Sequence, residues 1–286
     1  MLSLTRRGIA QSLFRAISTA QEPLRIDRLD GEDQGIVVLR LKKPETRNAI
    51  SKLMLSQFRE ALAGLKFDRS ARVVILKSDV DGAFCAGADL KERKAMSAEE
   101  VPRFVDSIRA ATTELSSLPV PTIAAIDGVA LGGGLELALS CDLRVASDGA
   151  KMGLTETRLA IIPGAGGTQR LTRIVGVAKA KELIFTAKII GATEAAEIGL
   201  VNAAVAKGSD GQGAYAKALE MAREILPRGP IAVKVAKIAV DTGSQLDLQS
   251  GLLLEQQCYA QVIPTRDRIE GLAAFAEKRK PHYKGE

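Results

Sequence analysis

Two carboxylates stand where this sequence can least easily keep a charge, each beside a glycine-rich turn. Glu136 is the only charged residue between Asp127 and Asp142, and Leu135, Leu137, Ala138 and Leu139 surround it. A carboxylate among such neighbours is costly unless it is paired or used. Three consecutive glycines, Gly132, Gly133 and Gly134, precede it. They let the backbone pass close to another group, and they open a helix whose first N–H groups have no intrahelical partner. Glu156 is the second carboxylate, followed by the turn Pro163-Gly164-Ala165-Gly166-Gly167. A third small-residue turn, Ala83-Phe84-Cys85-Ala86-Gly87-Ala88-Asp89, comes earlier. Read singly, each glycine run could serve packing, and Glu136 could answer its own helix dipole. Together they supply two carboxylates and several sets of exposed N–H groups, which is equipment for moving protons while stabilising an oxyanion.

The elements that must position these groups are legible from periodicity. Ile36–Leu41 is an apolar run that reads as a strand, as do Val73–Leu76, Thr122–Ile126 and Leu143–Ala146. Leu53, Leu55, Phe58, Leu62 and Leu65 recur at helical spacing, and Ser97 with Glu100 forms a capping-box start for a helix over 98–115. Strand, turn and helix repeat in that order, which makes an α/β fold. Beyond Ala178 the pattern turns mostly helical and is punctuated by Pro227, Pro230 and Pro264.

What the chain lacks narrows the chemistry. The only histidine, His282, stands near the end, so histidine triads and multi-histidine metal sites are excluded. Cys85, Cys141 and Cys258 are far apart, so neither a zinc site nor a disulfide framework is expected. No apolar run is long enough to cross a bilayer, and no membrane insertion is expected. The first 21 residues differ in kind: Arg6, Arg7 and Arg15 alternate with apolar residues and serines, and the first acid is Glu22. That pattern predicts a mitochondrial transit peptide and a matrix location. The three arginines account for half of the net charge of +6. The remaining excess suits an anionic, phosphorylated substrate and does not by itself argue for nucleic acid.

Three ordered segments, Phe84-Cys85-Ala86-Gly87-Ala88-Asp89-Leu90, Ala130–Leu137 and Pro163–Leu171, resemble the crotonase (enoyl-CoA hydratase/isomerase) superfamily, and the resemblance runs from about Ile36 onward. It implies a spiral of ββα units over 22–200, with a C-terminal helical region, 201–286, that packs subunits into trimers or hexamers. It implies an oxyanion hole from the backbone N–H groups of Ala88 and Gly133, and a water contact at Gly164. Glu136 and Glu156 fall where the hydratase branch carries two catalytic glutamates. The implied reaction is reversible syn addition of water to an α,β-unsaturated acyl-CoA, with Glu136 activating water and Glu156 protonating the α carbon. The same resemblance places Arg47, Ala49 and Lys91 along the CoA groove, with Lys42, Lys43 and Asn48 nearby. It implies no cofactor beyond the CoA thioester itself; no dinucleotide or P-loop motif argues for nicotinamide, flavin or ATP.

The segments Ala180–Phe185, Tyr259–Arg268 and Glu277–Glu286 resemble the methylglutaconyl-CoA hydratase branch. The alternatives are an acyl-CoA isomerase or hydrolase, or an RNA-binding member using Lys52, Arg59 and Lys66. Glu60 interrupts that stripe, so RNA is the weaker reading.

Overall fold

The computed structural model describes residues 22–286, and the predicted transit peptide lies outside them. The described chain begins β1 (Leu24–Arg28), β2 (Ile36–Leu41), α1 (Lys52–Phe67), β3 (Val73–Ser78), β4 (Gly82–Cys85), α2 (Leu90–Ala95) and α3 (Glu100–Ser116). It continues through β5 (Thr122–Ile126), β6 (Gly128–Leu131), α4 (Gly133–Leu139), β7 (Leu143–Ser147), β8 (Lys151–Gly153), α5 (Gly167–Val175) and α6 (Val177–Phe185). Next come β9 (Ile190–Gly191), α7 (Ala192–Glu197), β10 (Ala203–Val205), α8 (Gly213–Ile225), α9 (Pro230–Gly243), α10 (Leu248–Val262) and α11 (Arg266–Ala276).

The strands form two sheets, one in the order β1-β2-β3-β5-β7-β10 and one in the order β4-β6-β8-β9. Three strand pairs in turn, β3–β4, β5–β6 and β7–β8, give their first strand to the larger sheet and their second to the smaller. Helices follow each pair, so the chain winds as a spiral of ββα turns. Only Asp127 separates β5 from β6. Its carboxylate accepts from the N–H groups of Ala214 at 2.8 Å and Tyr215 at 3.1 Å, so the bend between sheets also caps α8.

The larger sheet is parallel except for β1, and it is buried on both faces, which is why its strands read as unbroken apolar runs. On one face, Ile36, Val38, Val73, Ile75 and Ile123 meet Ala214, Ala218 and Ala222 of α8. Alanines at every fourth position let the helix lie close to the sheet. On the other face, Val37, Leu39, Val74, Leu76 and Ala124 join the main core with α1, α3 and α4. β10 and α8 belong to this sheet and its cover, whereas α9, α10 and α11 lie beyond it in the chain.

The helix signals in the sequence translate directly. Ser51 caps α1 by accepting from Met54 N–H at 3.2 Å. Ser97 and Glu100 form the reciprocal capping box at 3.2 and 2.9 Å. One expectation fails: Leu53 is 53% exposed, and Met54 takes the buried position. At about 100° per residue, position 53 falls well off the stripe centred on Phe58 and Leu62.

Candidate active site

α4 opens where β6 ends, and its first turn packs against the turn after β4. Gly132 sits at φ 51° and ψ −126°, a conformation open only to glycine, and a Cβ there would come within 3.1 Å of Glu156 Oε1. The turn after β4 is held by a short strand-like pairing. Ile50 N–H donates to Gly87 O at 2.7 Å, and Asp89 N–H donates to Ile50 O at 3.0 Å. These bonds occupy the groups on either side of Ala88. The N–H groups of Ala88 and Gly133 have no acceptor among the described residues, and a Cβ on Gly133 would stand 3.6 Å from Ala88 N. Two unspent donors therefore converge on one spot.

Both glutamates face the same cavity of about 160 Å³, as do Ala88, Gly133 and Gly164. Glu136 is 3% exposed, and its Oε1 accepts from Ala165 N–H at 2.8 Å and Gly167 N–H at 2.7 Å. Those peptides are turned inward because their carbonyls are held from outside. Arg109 Nε donates to Gly164 O at 2.9 Å, and Arg170 N–H donates to Gly166 O at 2.8 Å, while Thr112 Oγ1 and the Arg170 guanidinium hold the intervening Ala165 O at 2.9 and 3.0 Å. Burial raises the Glu136 carboxyl above its ordinary range, opposed by the two N–H bonds and the charges of Arg170 and Arg109. Glu156 is pushed up to about 7, first by burial and then by the negative charge of Glu136. Its Oε2 is buried without a hydrogen-bond partner among the described residues. Both carboxyls are thus raised by burial, but only Glu136 has N–H groups and arginine charges that support its ionised form, and Glu156 is left the readier of the two to hold a proton.

The structure brings together five of the eight site residues expected from sequence. Arg47, Ala49 and Lys91 do not line the cavity. Arg47 is exposed and contributes its carbonyl, which accepts from Ala86 N–H at 3.1 Å, and Ala49 is buried. Lys91 is exposed on α2, beside the cavity residue Leu90. Asn48 is fully buried at φ 58° and ties this loop to Ser78 Oγ at 2.7 Å and to Phe84 O at 3.0 Å.

Sequence reasoning missed the apolar lining, Val105 and Ile108 of α3 with Leu159, Ile161 and Ile162, and it missed Arg93 of α2. The amphipathic period of α3 marks a buried face but not that part of this face borders a cavity. The positions of Arg109 and Thr112 carried no sequence signal beyond polar side chains on a packed helix.

Comparison with known proteins shows what the whole chain is similar to. The family model described as enoyl-CoA hydratase/isomerase matches residues 31–286. Methylglutaconyl-CoA hydratase, mitochondrial, from Homo sapiens is 54% identical over 266 residues, covering 93% of this chain and 78% of that protein. Enoyl-CoA hydratase domain-containing protein 2, mitochondrial, from Mus musculus is 53% identical over 268 residues, covering 94% of this chain and 90% of that protein. Among solved structures, an enoyl-CoA hydratase from Bacillus anthracis superposes with a TM-score of 0.88 at 48% identity, covering 92% of this chain and 100% of that one.

Proposed function

This chain belongs to the enoyl-CoA hydratase/isomerase family, and from that premise we propose that it adds water reversibly across the double bond of an enoyl-CoA, with Glu136 and Glu156 as its acid–base pair. The observation that carries the assignment is the convergence of two carboxyls and two unspent N–H donors on one cavity. The thioester oxygen binds between the N–H groups of Ala88 and Gly133. Ionised Glu136 takes a proton from water, and the hydroxide adds to the β carbon. The electron pair of the double bond moves toward the thioester oxygen, where the two N–H groups meet the growing charge. Protonated Glu156 then delivers its proton to the α carbon. The Gly164 N–H has no acceptor among the described residues and Gly164 lines the cavity, which supports giving it the role of holding the water. Glu136 ends protonated and Glu156 ionised, and exchange with solvent resets the pair.

The relatives' names make 3-methylglutaconyl-CoA the first substrate to try, with crotonyl-CoA as the simplest one. A panel of enoyl-CoA thioesters of differing length and branching tests the reading. Wild-type protein that hydrates none of them overturns it. The RNA alternative finds less support, because Lys52 pairs with Glu100 at 3.2 Å and Arg59 Nε lies 3.0–3.1 Å from both oxygens of Glu114.

Assembly follows from unsatisfied apolar surface. Leu248, Leu253 and Tyr259 of α10 and Leu272 and Phe275 of α11 are 60–86% exposed. So many large apolar side chains on neighbouring helices mark an interface, and we assign it to a trimer or a pair of trimers. Replacing Leu253 and Phe275 together by Glu is expected to shift the protein to monomer in sedimentation analysis; an unchanged sedimentation coefficient refutes the assignment.

Matrix import is proposed from the basic, acid-free segment before Gln21 and from the mitochondrial names of the relatives. Residues 1–20 fused to a soluble reporter are expected to carry it into mitochondria. A reporter left in the cytosol sinks the proposal.

A further inference from the structure

The active-site cavity holds one side chain that hydration of a simple alkenoyl chain does not use. Arg93 lies one turn into α2, on the same side as Leu90, and both line the cavity with Glu136 and Glu156. Its guanidinium makes no hydrogen bond or ion pair among the described residues. The neighbouring charges on α2 are accounted for elsewhere: Lys91 and Lys94 are exposed, and Glu92 accepts from Lys52 N–H at 2.9 Å. Arg93 is only partly exposed, and its charge is felt at Glu156.

Around it the lining is Leu90, Val105, Ile108, Leu159, Ile161 and Ile162. A bound alkyl chain would strip water from the guanidinium and offer nothing in return, which is costly for a charge. A carboxylate at the far end of the acyl chain removes that cost through a charge-assisted, two-pronged contact. Distance permits it. From Asp89, the residue after the oxyanion donor Ala88, to Arg93 α2 rises roughly 6 Å at 1.5 Å per residue, a span that a five-carbon diacid chain and an arginine side chain bridge together.

We propose that Arg93 is the specificity-determining residue of this site and that it selects acyl-CoA thioesters whose acyl chain ends in a carboxylate. The proposal rests on the cavity being the acyl site of the reading above, and it adds the chemical class of the acyl chain.

The test uses the full chain and unreactive saturated analogues, so it does not depend on turnover. Glutaryl-CoA and pentanoyl-CoA have the same length and differ by a carboxylate in place of a methyl group. Calorimetric binding of each is measured for wild type, Arg93→Met and Arg93→Lys. A hydrogen-bonded charge pair is worth about 10- to 100-fold in affinity. Arg93→Met is therefore expected to weaken glutaryl-CoA relative to pentanoyl-CoA by about that factor, and Arg93→Lys to recover part of it. The KM for 3-methylglutaconyl-CoA should rise in the same order, with a smaller effect on kcat. Equal changes for both analogues would mean that Arg93 acts only through Glu156 or the fold, and they overturn the proposal, as does no change in either. Wild type that hydrates no enoyl-CoA yet shows the Arg93-dependent preference would refute the hydratase reading and leave the selectivity standing.

Discussion

Glu136→Gln and Glu156→Gln are each expected to lower kcat for hydration of crotonyl-CoA by about 10²- to 10⁴-fold, the contribution of a positioned acid or base. KM should move far less, because neither change removes the groups that grip the thioester. The glutamine at 136 can still accept from Ala165 and Gly167 N–H, so the turn keeps its shape. Proton transfer alone is lost. Stability should move the other way at high pH. Glu156 is raised from an ordinary value near 4.5 to about 7, so the folded state binds more protons than the unfolded one between those limits. The burden of a buried charge thus grows as pH rises through that window and is full above it. Glu156→Gln should therefore raise Tm more at pH 8 than at pH 5. Activity has a matching signature: hydration by wild type falls as pH rises past about 7, as Glu156 loses the proton it must deliver. In Glu136→Gln the residual activity should lose this limb at lower pH, since the negative charge that raises Glu156 is gone. Folded variants with wild-type kcat would refute the assignment.

How much of this was legible in the sequence depends on the range over which each signal acts. Thr122–Ile126 reads as a strand from its own composition, and Ser97 with Glu100 marks a helix start within four residues, because capping is a local contact. The glutamates and their glycine turns were visible because a lone charge in an apolar run and a cluster of glycines are both locally improbable. Arg93 and Arg109 were not visible. Each is an ordinary cation on an amphipathic helix, and only the winding of the ββα turns decides that one borders the acyl cavity while the other holds the carbonyl of Gly164. Arg47 and Lys91, read from the resemblance as CoA-groove residues, are exposed outside the cavity, where a surface groove and plain solvent look alike in a single sequence. The helical character of the α10 and α11 region was legible, but which of its apolar residues stay exposed was not, for a related reason. Their apolar side chains are not arranged around this chain's own core.

Gly134→Ala tests the oxyanion hole without touching either donor. Gly134 is the second residue of α4, and its φ is one that any residue adopts, so helix propensity alone would make alanine the more stable choice by roughly 0.5–1 kcal/mol. Space forbids it. A Cβ at Gly134 would lie 2.1 Å from the carbonyl oxygen of Cys85 and 2.8 Å from its carbon, backbone atoms that no rotamer change can move aside. Cys85 ends β4 three residues before Ala88, and Gly134 follows Gly133. The methyl group is therefore a wedge between the two segments whose N–H groups must converge. Relief requires α4 to lift from the turn, which carries Gly133 away from Ala88. Overpacking of this kind costs about 1–3 kcal/mol of stability, or roughly 2–4 °C of Tm per kcal/mol in a chain of this size. Displacing one oxyanion donor costs about 10²- to 10³-fold in kcat. Gly64→Ala is the matched control: Gly64 is an exposed residue of α1 with nothing within 4 Å of its added Cβ, so Tm should rise slightly there. If instead Gly134→Ala keeps both wild-type Tm and wild-type kcat, close approach of α4 to the β4 turn does not set the position of the Gly133 donor, and the oxyanion hole must be sought elsewhere.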